Sequence, residues 1–356
     1  MTQRKLATTA VISDIKKING ADKICAYKVR GWWVVDQIDK YSVGDVVIFI
    51  EVDSWIPHDI APFLSKGNKP REYLGVVGEK LNTVKLKGQI SQGLILNVKA
   101  LEGKNINTNV IDQDVSKSLG IIKWEAYCPL CLNGNAKGIF PWFLKKTDQE
   151  RIQNLWSKYK EEYNDVEFEV SLKLDGTSCT VYLNQGEFGV CSRNLELKDG
   201  DNTYWKVAKD NQLEQTLRSY GKNIAISGEL IGTGIQKNPE KINGHEFKIF
   251  DIYDIDEGRY LTSECRFDLI NNLLSQQGKA LSVCPVLGED LKFYNSPSKT
   301  FKLSQFDTLE ELLAFADGPS ERSDCREGFV FKSTKYIDGG IVSFKVISNE
   351  FLLKTK

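Results

Sequence analysis

Lys173, Asp175 and Gly176 stand in the run Val170-Ser171-Leu172-Lys173-Leu174-Asp175-Gly176-Thr177-Ser178, where an amine, a carboxylate and a turn residue follow a strand-like stretch. A lysine so placed can attack the α-phosphorus of a nucleotide and hold the nucleoside monophosphate as a phosphoramide, which is covalent catalysis with an amine nucleophile. The pattern Lys-x-Asp-Gly is short, and an exposed hairpin lysine ahead of an Asp-Gly turn gives the same string. The order of the motifs that follow separates the two readings.

The surrounding sequence predicts two kinds of scaffold. Residues 7–12, 25–35, 46–52 and two further runs within 81–98, broken at Gly88 to Gly93, read as strands. Short β runs at regular spacing with glycine turns predict a small barrel, and five of them fit an oligonucleotide-binding (OB) type barrel over residues 1–112. Residues 113–144 read as a connector that ends in Phe140-Pro141-Trp142-Phe143. The second domain, 145–356, opens with Thr147-Asp148-Gln149-Glu150. That string reads as a capping box for an amphipathic helix through Ile152, Leu155, Trp156 and Tyr159. Strands follow at 168–173, 180–183, 188–192, 224–230, 247–253, 329–332 and 342–346, with helices at 202–220, 263–277 and 308–316. Hairpins intermixed with helices, rather than strand–helix–strand repeats, make this an α+β domain of antiparallel sheets flanked by helices.

Downstream of Lys173 come Ser192-Arg193-Asn194, Ser227-Gly228-Glu229-Leu230, Ile249-Phe250-Asp251-Ile252-Tyr253, Arg326-Glu327-Gly328-Phe329-Val330-Phe331-Lys332 and Ser343-Phe344-Lys345-Val346. Singly, Glu229 reads as a surface charge, Glu327-Gly328 as a turn and Lys345 as a solvated edge residue. In this order and on strand ends, they resemble the covalent nucleotidyltransferase superfamily of polynucleotide ligases and RNA capping enzymes, from Lys145 to the C-terminus. The barrel lies at the N-terminus rather than after the last motif. That arrangement, with Arg4-Lys5-Leu6-Ala7-Thr8, Val52-Asp53-Ser54, Lys123-Trp124-Glu125 and Lys146-Thr147-Asp148-Gln149-Glu150-Arg151, resembles the ATP-dependent RNA ligase group typified by the Naegleria and Deinococcus enzymes.

The resemblance implies roles that the chemistry explains. ATP is polyanionic, so cations must meet its phosphates: Arg193, Lys332, Lys345 and, from the first helix, Arg151. Lys173 must lose a proton near neutral pH, and neighbouring cations with a bound metal are expected to depress its pKa from about 10.4. Asp175 and Glu327 are hard oxygen donors suited to Mg²⁺ or Mn²⁺ through retained waters. Glu229 suits a ribose hydroxyl, and Phe250 is expected to stack on adenine. Related enzymes often carry Lys-x-Lys in the last motif; here Ser343 replaces the first lysine and leaves Lys345 as the main cation there.

The expected reaction joins a 3′-hydroxyl to a 5′-phosphate in three steps: Lys173 takes AMP from ATP, AMP passes to the 5′-phosphate, and the 3′-hydroxyl displaces it. The partner is RNA ends at a nicked duplex. A DNA ligase, a capping guanylyltransferase and a non-catalytic nucleic-acid-binding protein are the alternatives. In the barrel, Val84-Lys85-Leu86-Lys87-Gly88-Gln89-Ile90-Ser91-Gln92-Gly93 interleaves cations and amides. Lys85 and Lys87 could meet phosphates, and Gln89 and Gln92 ribose hydroxyls or bases; a solvated hairpin is the other reading. Trp32 and Trp33, as strand neighbours, must point to opposite faces, so one at least belongs to the core.

Composition bounds these readings. The 356 residues suffice for two cores, and 41% hydrophobic with 27% charged content is ordinary for a soluble globular chain. A net charge of −1 excludes a globally basic nucleic-acid binder but permits a local basic groove. No long apolar stretch and no signal peptide are evident, so a monomer in an intracellular, reducing compartment, the cytoplasm, is expected. The eight cysteines then read as reduced, mostly buried thiols. Cys128-Pro129-Leu130-Cys131 could be half a zinc site or a redox pair. No second pair stands nearby and His58 and His245 are far away in sequence, so two incidental thiols is the preferred reading.

Overall fold

In the computed structural model the chain folds as two units, Met1–Tyr127 with Leu352–Lys356, and Cys128–Phe351. The structure describes residues 4–103, 106–107, 110–124, 134–277, 281–288, 290–296 and 299–354; Cys128 and Cys131 lie outside them. The segment 113–144 contributes a strand to each unit.

The first unit contains β1 (Ala7–Lys17), β2 (Ile24–Val29), β3 (Trp32–Gln37), β4 (Val46–Ile50), β5 (Ser54–Pro57) and β6 (Arg71–Tyr73). Then come β7 (Val76–Lys80), β8 (Val84–Leu86), β9 (Gln89–Ser91), β10 (Leu94–Asn97) and β11 (Ile122–Lys123). Its main sheet runs β10-β4-β1-β2-β3. β1 serves two partners: Ala7–Val11 pair with β4, and past a register shift between Ile12 and Asp14 the strand continues along β2. Such a bulge bends a strand and lets a sheet curl. Ile12, Tyr27, Val29, Trp32 and Phe49 are fully buried within it. The architecture is the OB-type barrel that the strand spacing predicts. The run 25–35 is a hairpin rather than one strand, because Arg30 takes a φ of 54° between β2 and β3. Trp32 is the buried member of the tryptophan pair. β11-β5-β7-β6 form a second sheet that the sequence pattern does not reveal.

The second unit begins with β12 (Ala136–Ile139), α1 (Ile152–Glu162), β13 (Phe168–Lys173), β14 (Thr177–Asn184), β15 (Glu187–Ser192) and β16 (Leu195–Leu197). It continues through α2 (Thr203–Asp210), α3 (Leu213–Tyr220), β17 (Ile224–Gly232), β18 (His245–Asp254), β19 (Arg259–Tyr260), α4 (Ser263–Gln277) and β20 (Ser282–Val283). Last come β21 (Val286–Leu287), β22 (Phe293–Tyr294), α5 (Leu309–Phe315), β23 (Gly328–Ser333), β24 (Ser343–Ile347) and the first half of α6 (Asn349–Lys354). One sheet runs β12-β16-β15-β14-β17-β18-β19, with β20 beside β18; the other runs β22-β21-β13-β23-β24. Helices α2, α3 and α4 bury Val207, Leu213, Leu217, Phe267 and Ile270 on one face of the first sheet. Helices α1 and α5 cover the other sheet through Ile152, Leu309 and Leu312, against Phe168, Phe331 and Phe344.

Two local expectations change. Residues 202–220 form two helices, because the Asn211 amide donates back to the Val207 carbonyl at 2.8 Å and Gln212 turns left-handed at φ 53°. Thr147–Glu150 does not cap α1. Arg151 is the N-cap, extended and without a side-chain cap bond. Its stretch is drawn out as a parallel bridge to β24, with Lys345 N donating to Glu150 O at 2.9 Å. No helix among the described residues is long and apolar enough to cross a membrane.

Candidate active site

Alternation along the strands assembles the site. Phe168, Val170 and Leu172 of β13 enter the core, so Glu169, Ser171 and Lys173 occupy the opposite face. Register then places Lys332 opposite Glu169, Gly328 opposite Lys173, and Lys345 opposite Val330. Lys173, Lys332 and Lys345 therefore share one polar face. On the other sheet, Cys179, Val181 and Ile226 enter the core and leave Ser178, Thr180, Ser227 and Glu229 on the opposite face. Leu174-Asp175-Gly176 is the turn that links the two faces. Gly176 is required there: a Cβ would lie 2.4 Å from the Leu230 carbonyl oxygen.

Lys173 Nζ lies 2.6 Å from Glu327 Oε1, although the residues are 154 positions apart. The second oxygen, Glu327 Oε2, is buried with no hydrogen-bond partner among the described residues. Burial pulls the Lys173 ammonium down, but Glu327, Glu229 and Asp175 outweigh it and hold its pKa above the ordinary value. The expected depression by neighbouring cations and a bound metal is not the state of the ligand-free chain, where carboxylates surround the amine. Glu229 is pushed up to about 8, first by burial, with Lys173 opposing and Glu327 and Asp175 reinforcing. Asp175 is pushed up to about 6, first by burial and then by Glu327. Three carboxylates around one amine make a site short of positive charge.

The other expected residues divide. Phe250 is the extra residue of a β-bulge in β18: Ser227 pairs with Asp251 and Gly228 with Ile249, leaving Phe250 out of register. Lys332 Nζ donates to the Phe250 carbonyl at 2.8 Å, pairs with Asp251 at 2.8 Å and lies 5.4 Å from the Phe250 ring. Its charge is thus committed to holding the bulge. Arg151 is buried at the start of α1 beside Lys345. Arg193 is exposed beyond β15 and pairs with Asp148 at 2.7 Å. In the first unit, Lys85 and Lys87 are exposed on the β8–β9 hairpin and Gln89 is half-buried. Gln92 is buried, so it leaves the solvent-facing set. Its backbone N donates to Trp33 O at 2.8 Å, and Ser91 Oγ accepts from Val35 N at 2.9 Å, which draws this end of β9 onto β3.

Sequence reasoning missed three groups. Asp251 stands inside a quoted motif but carries no expected role. Lys237, after β17, pulls the Asp175 pKa down, and the neighbouring Gln236 Nε2 donates to Gly176 O at 3.2 Å. Glu169 forms a buried pair with Arg266 of α4 at 2.5 and 2.8 Å and accepts the Ser263 hydroxyl. The polar residues alternating along β13 were the available signal.

Gly328, at φ 144°, has its position beside Lys173 because a Cβ would lie 2.1 Å from the Val346 carbonyl oxygen. Gly328→Ala is expected to cost about 3 kcal/mol in chemical denaturation, since the three nearest atoms, Val346 O, Ile347 Cα and Ser348 N, are all backbone. An unchanged denaturation midpoint would contradict that close approach.

The RNA ligase family model matches residues 166–347, and an OB-fold domain model matches residues 6–98. A Naegleria gruberi RNA ligase mutant with AMP and Mn is 39% identical, with a TM-score of 0.87 over 99% of this chain and 100% of that one. The same ligase with PPi is 40% identical, with a TM-score of 0.86 over 98% of each chain. Another mutant, with ATP and Mn, is 39% identical, with a TM-score of 0.87 over 99% of this chain and 100% of that one. A search of curated proteins gave no match.

Proposed function

This chain belongs to the RNA ligase family, and from that premise we propose that it is an ATP-dependent RNA ligase with Lys173 as its nucleophile. The observation that carries the reading is the Lys173 amine, 2.6 Å from Glu327, on a polar face shared with Lys332 and Lys345. In the first step, deprotonated Lys173 Nζ attacks the α-phosphorus of ATP. The bond to the bridging oxygen breaks, pyrophosphate leaves, and AMP stays on Nζ. AMP then passes to a 5′-phosphate of RNA and restores the amine. Finally the 3′-hydroxyl attacks that phosphate, and AMP departs as a far better leaving group than a bare oxide.

Lys345, Arg151 and Arg193 would meet the phosphates, Glu229 the ribose, and Phe250 the adenine face. Lys332 keeps Phe250 and its bulge in place. The residues fit a divalent cation: Glu327 Oε2 is a buried acceptor without a partner among the described residues, and Asp175 and Glu229 are crowded by like charge. Among the described residues no three His, Cys, Asp or Glu side chains converge on one point. Mg²⁺ or Mn²⁺ would therefore be held by Asp175 and Glu327 through its waters. When bound, the cation neutralises charge on the transferring phosphate.

The finer reading is a nicked duplex with ribose on the 3′-hydroxyl side, sealed by a monomer. The exposed Lys85 and Lys87 support duplex binding, with Gln89 beside them. A reducing intracellular compartment, the cytoplasm, suits the free thiols of Cys25, Cys179, Cys191, Cys265, Cys284 and Cys325. Nicked RNA, DNA and hybrid duplexes offered with ATP and Mg²⁺ test the reading. Sealing is expected wherever the 3′-hydroxyl strand ends in ribose. Sealing of all-DNA nicks at the same rate would make the chain a DNA ligase instead, and no sealing of any duplex would reject ligation.

A further inference from the structure

The string Phe140-Pro141-Trp142-Phe143 has no part in the mechanism above, yet it builds an unusual surface. Phe143 packs edge-on against Tyr182 at 5.2 Å and Leu144 is buried, which anchors the segment. Trp142, just ahead of these anchors, is 92% exposed, and Ile139, the last residue of β12, is 84% exposed. An indole left in water forgoes the burial its size would reward, so a rigidly mounted one marks a contact surface. The Glu196 carboxylate, which accepts the Tyr182 hydroxyl at 2.6 Å, is matched by Lys137 at 2.7 Å, and the segment after Trp142 carries two further lysines. Lys146 Nζ bonds the neutral Asn194 amide oxygen at 2.7 Å, and Lys145 Nζ bonds the Gly258 carbonyl at 2.9 Å. Neither contact cancels the charge. Arg193, just beyond β15, pairs with the exposed Asp148 at 2.7 Å.

The surface also has a defined place relative to Lys173. Tyr182, under Phe143, alternates with Thr180 and Ser178 on one face of β14, and Ser178 is opposite Glu229. Four residues of strand span roughly 13 Å. The aromatic surface therefore stands at the far end of the polar face that begins at the nucleophile. We propose that Trp142 is a stacking platform for a base of the RNA strand, with Lys145 and Lys146 beside its phosphates. This rests on the ligase reading. Stacking suits any base, because every base has a π-face, and cations beside an aromatic ring are the pattern of single-strand binding. A protein partner would favour a patch depleted of charge around the aromatic group.

The test measures binding of a fluorescent single-stranded RNA by anisotropy, with transfer of α-label from ATP to the protein followed in parallel. Trp142→Ala is expected to raise Kd about tenfold, while Trp142→Phe, which keeps a ring, stays close to the unsubstituted chain. Equal Kd values for Trp142→Ala and the unsubstituted chain would overturn the platform. So would equal weakening by the Ala and Phe variants, because stacking would then not be the cause. An unchanged Kd with loss of a dimer in sedimentation would assign the surface to a second copy. Failure of the unsubstituted chain to take label would overturn the ligase reading and the platform with it; the Trp142 outcomes bear on the platform alone.

Discussion

Lys173→Ala is expected to take no acid-stable label from ATP labelled at the α-phosphate, a fall of at least roughly 10⁴-fold in adenylylation. The Lys173 amine, at the turn between the two sheets and 2.6 Å from Glu327, is the group assigned to the phosphoramide, and alanine offers no substitute. Lys173→Arg should fail as well, because a guanidinium does not deprotonate in proteins. The loss should be confined to the steps that use the amine. Supplying a strand already carrying AMP on its 5′-phosphate should therefore return sealing in Lys173→Ala, since the last step needs the 3′-hydroxyl and not the lysine. The substitution removes an ion pair with Glu327 whose lysine side chain keeps 26% exposure, so the fold should survive and circular dichroism should match. Equal labelling of the alanine variant would eliminate Lys173 as nucleophile.

Arg266→Met carries the largest expected cost in stability, roughly 3–5 kcal/mol, because it leaves the Glu169 carboxylate buried without its cation. Both side chains are only 5% exposed, and the pair ties the first turn of α4 to β13 directly opposite Lys332. Burial drives the Glu169 pKa up, but Arg266, Ser263 and Lys332 more than offset it and leave it depressed. A depressed carboxylate stabilises the fold above its unfolded pKa, near 4.5, and that stability is lost as pH falls through the folded value. In Arg266→Met the sign should invert. Burial then prevails and raises the carboxyl, so its contribution should improve on acidification. Adding Glu169→Gln to Arg266→Met should recover much of the loss, because the uncompensated charge is gone. Denaturant titrations of the single and double variants across pH decide the matter. A cost below about 1 kcal/mol for Arg266→Met, independent of pH, would show that the pair does not work as a buried ion pair.

Much of the site was legible because β-structure writes itself locally. Polar residues at every second position of 168–173 and 343–346 announce which side chains share a face, and two-residue periodicity follows from the pleat. Lys173, Asp175, Glu229 and Glu327 were singled out by the order of their motifs and the family resemblance that this order carries. The OB-type strands were likewise visible, apart from the hairpin at Arg30 and the β5–β7 sheet, whose short strands carry little pattern.

Tertiary structure decided the rest, and in each case the deciding quantity is nonlocal. The Lys173 pKa depends on carboxylates contributed by β17 and by the residue before β23, and a field falls with a distance that no spacing in the chain encodes. The Phe250 bulge exists only relative to the strand it pairs with, so a count along β18 cannot reveal it. The contacts of Lys332 are equally nonlocal, because Asp251 and the Phe250 carbonyl, each 2.8 Å from it, arrive from another sheet. Sequence thus fixed which atoms could react, through residue type and alternation, whereas their charge state and aim came from strand pairing between segments far apart in the chain.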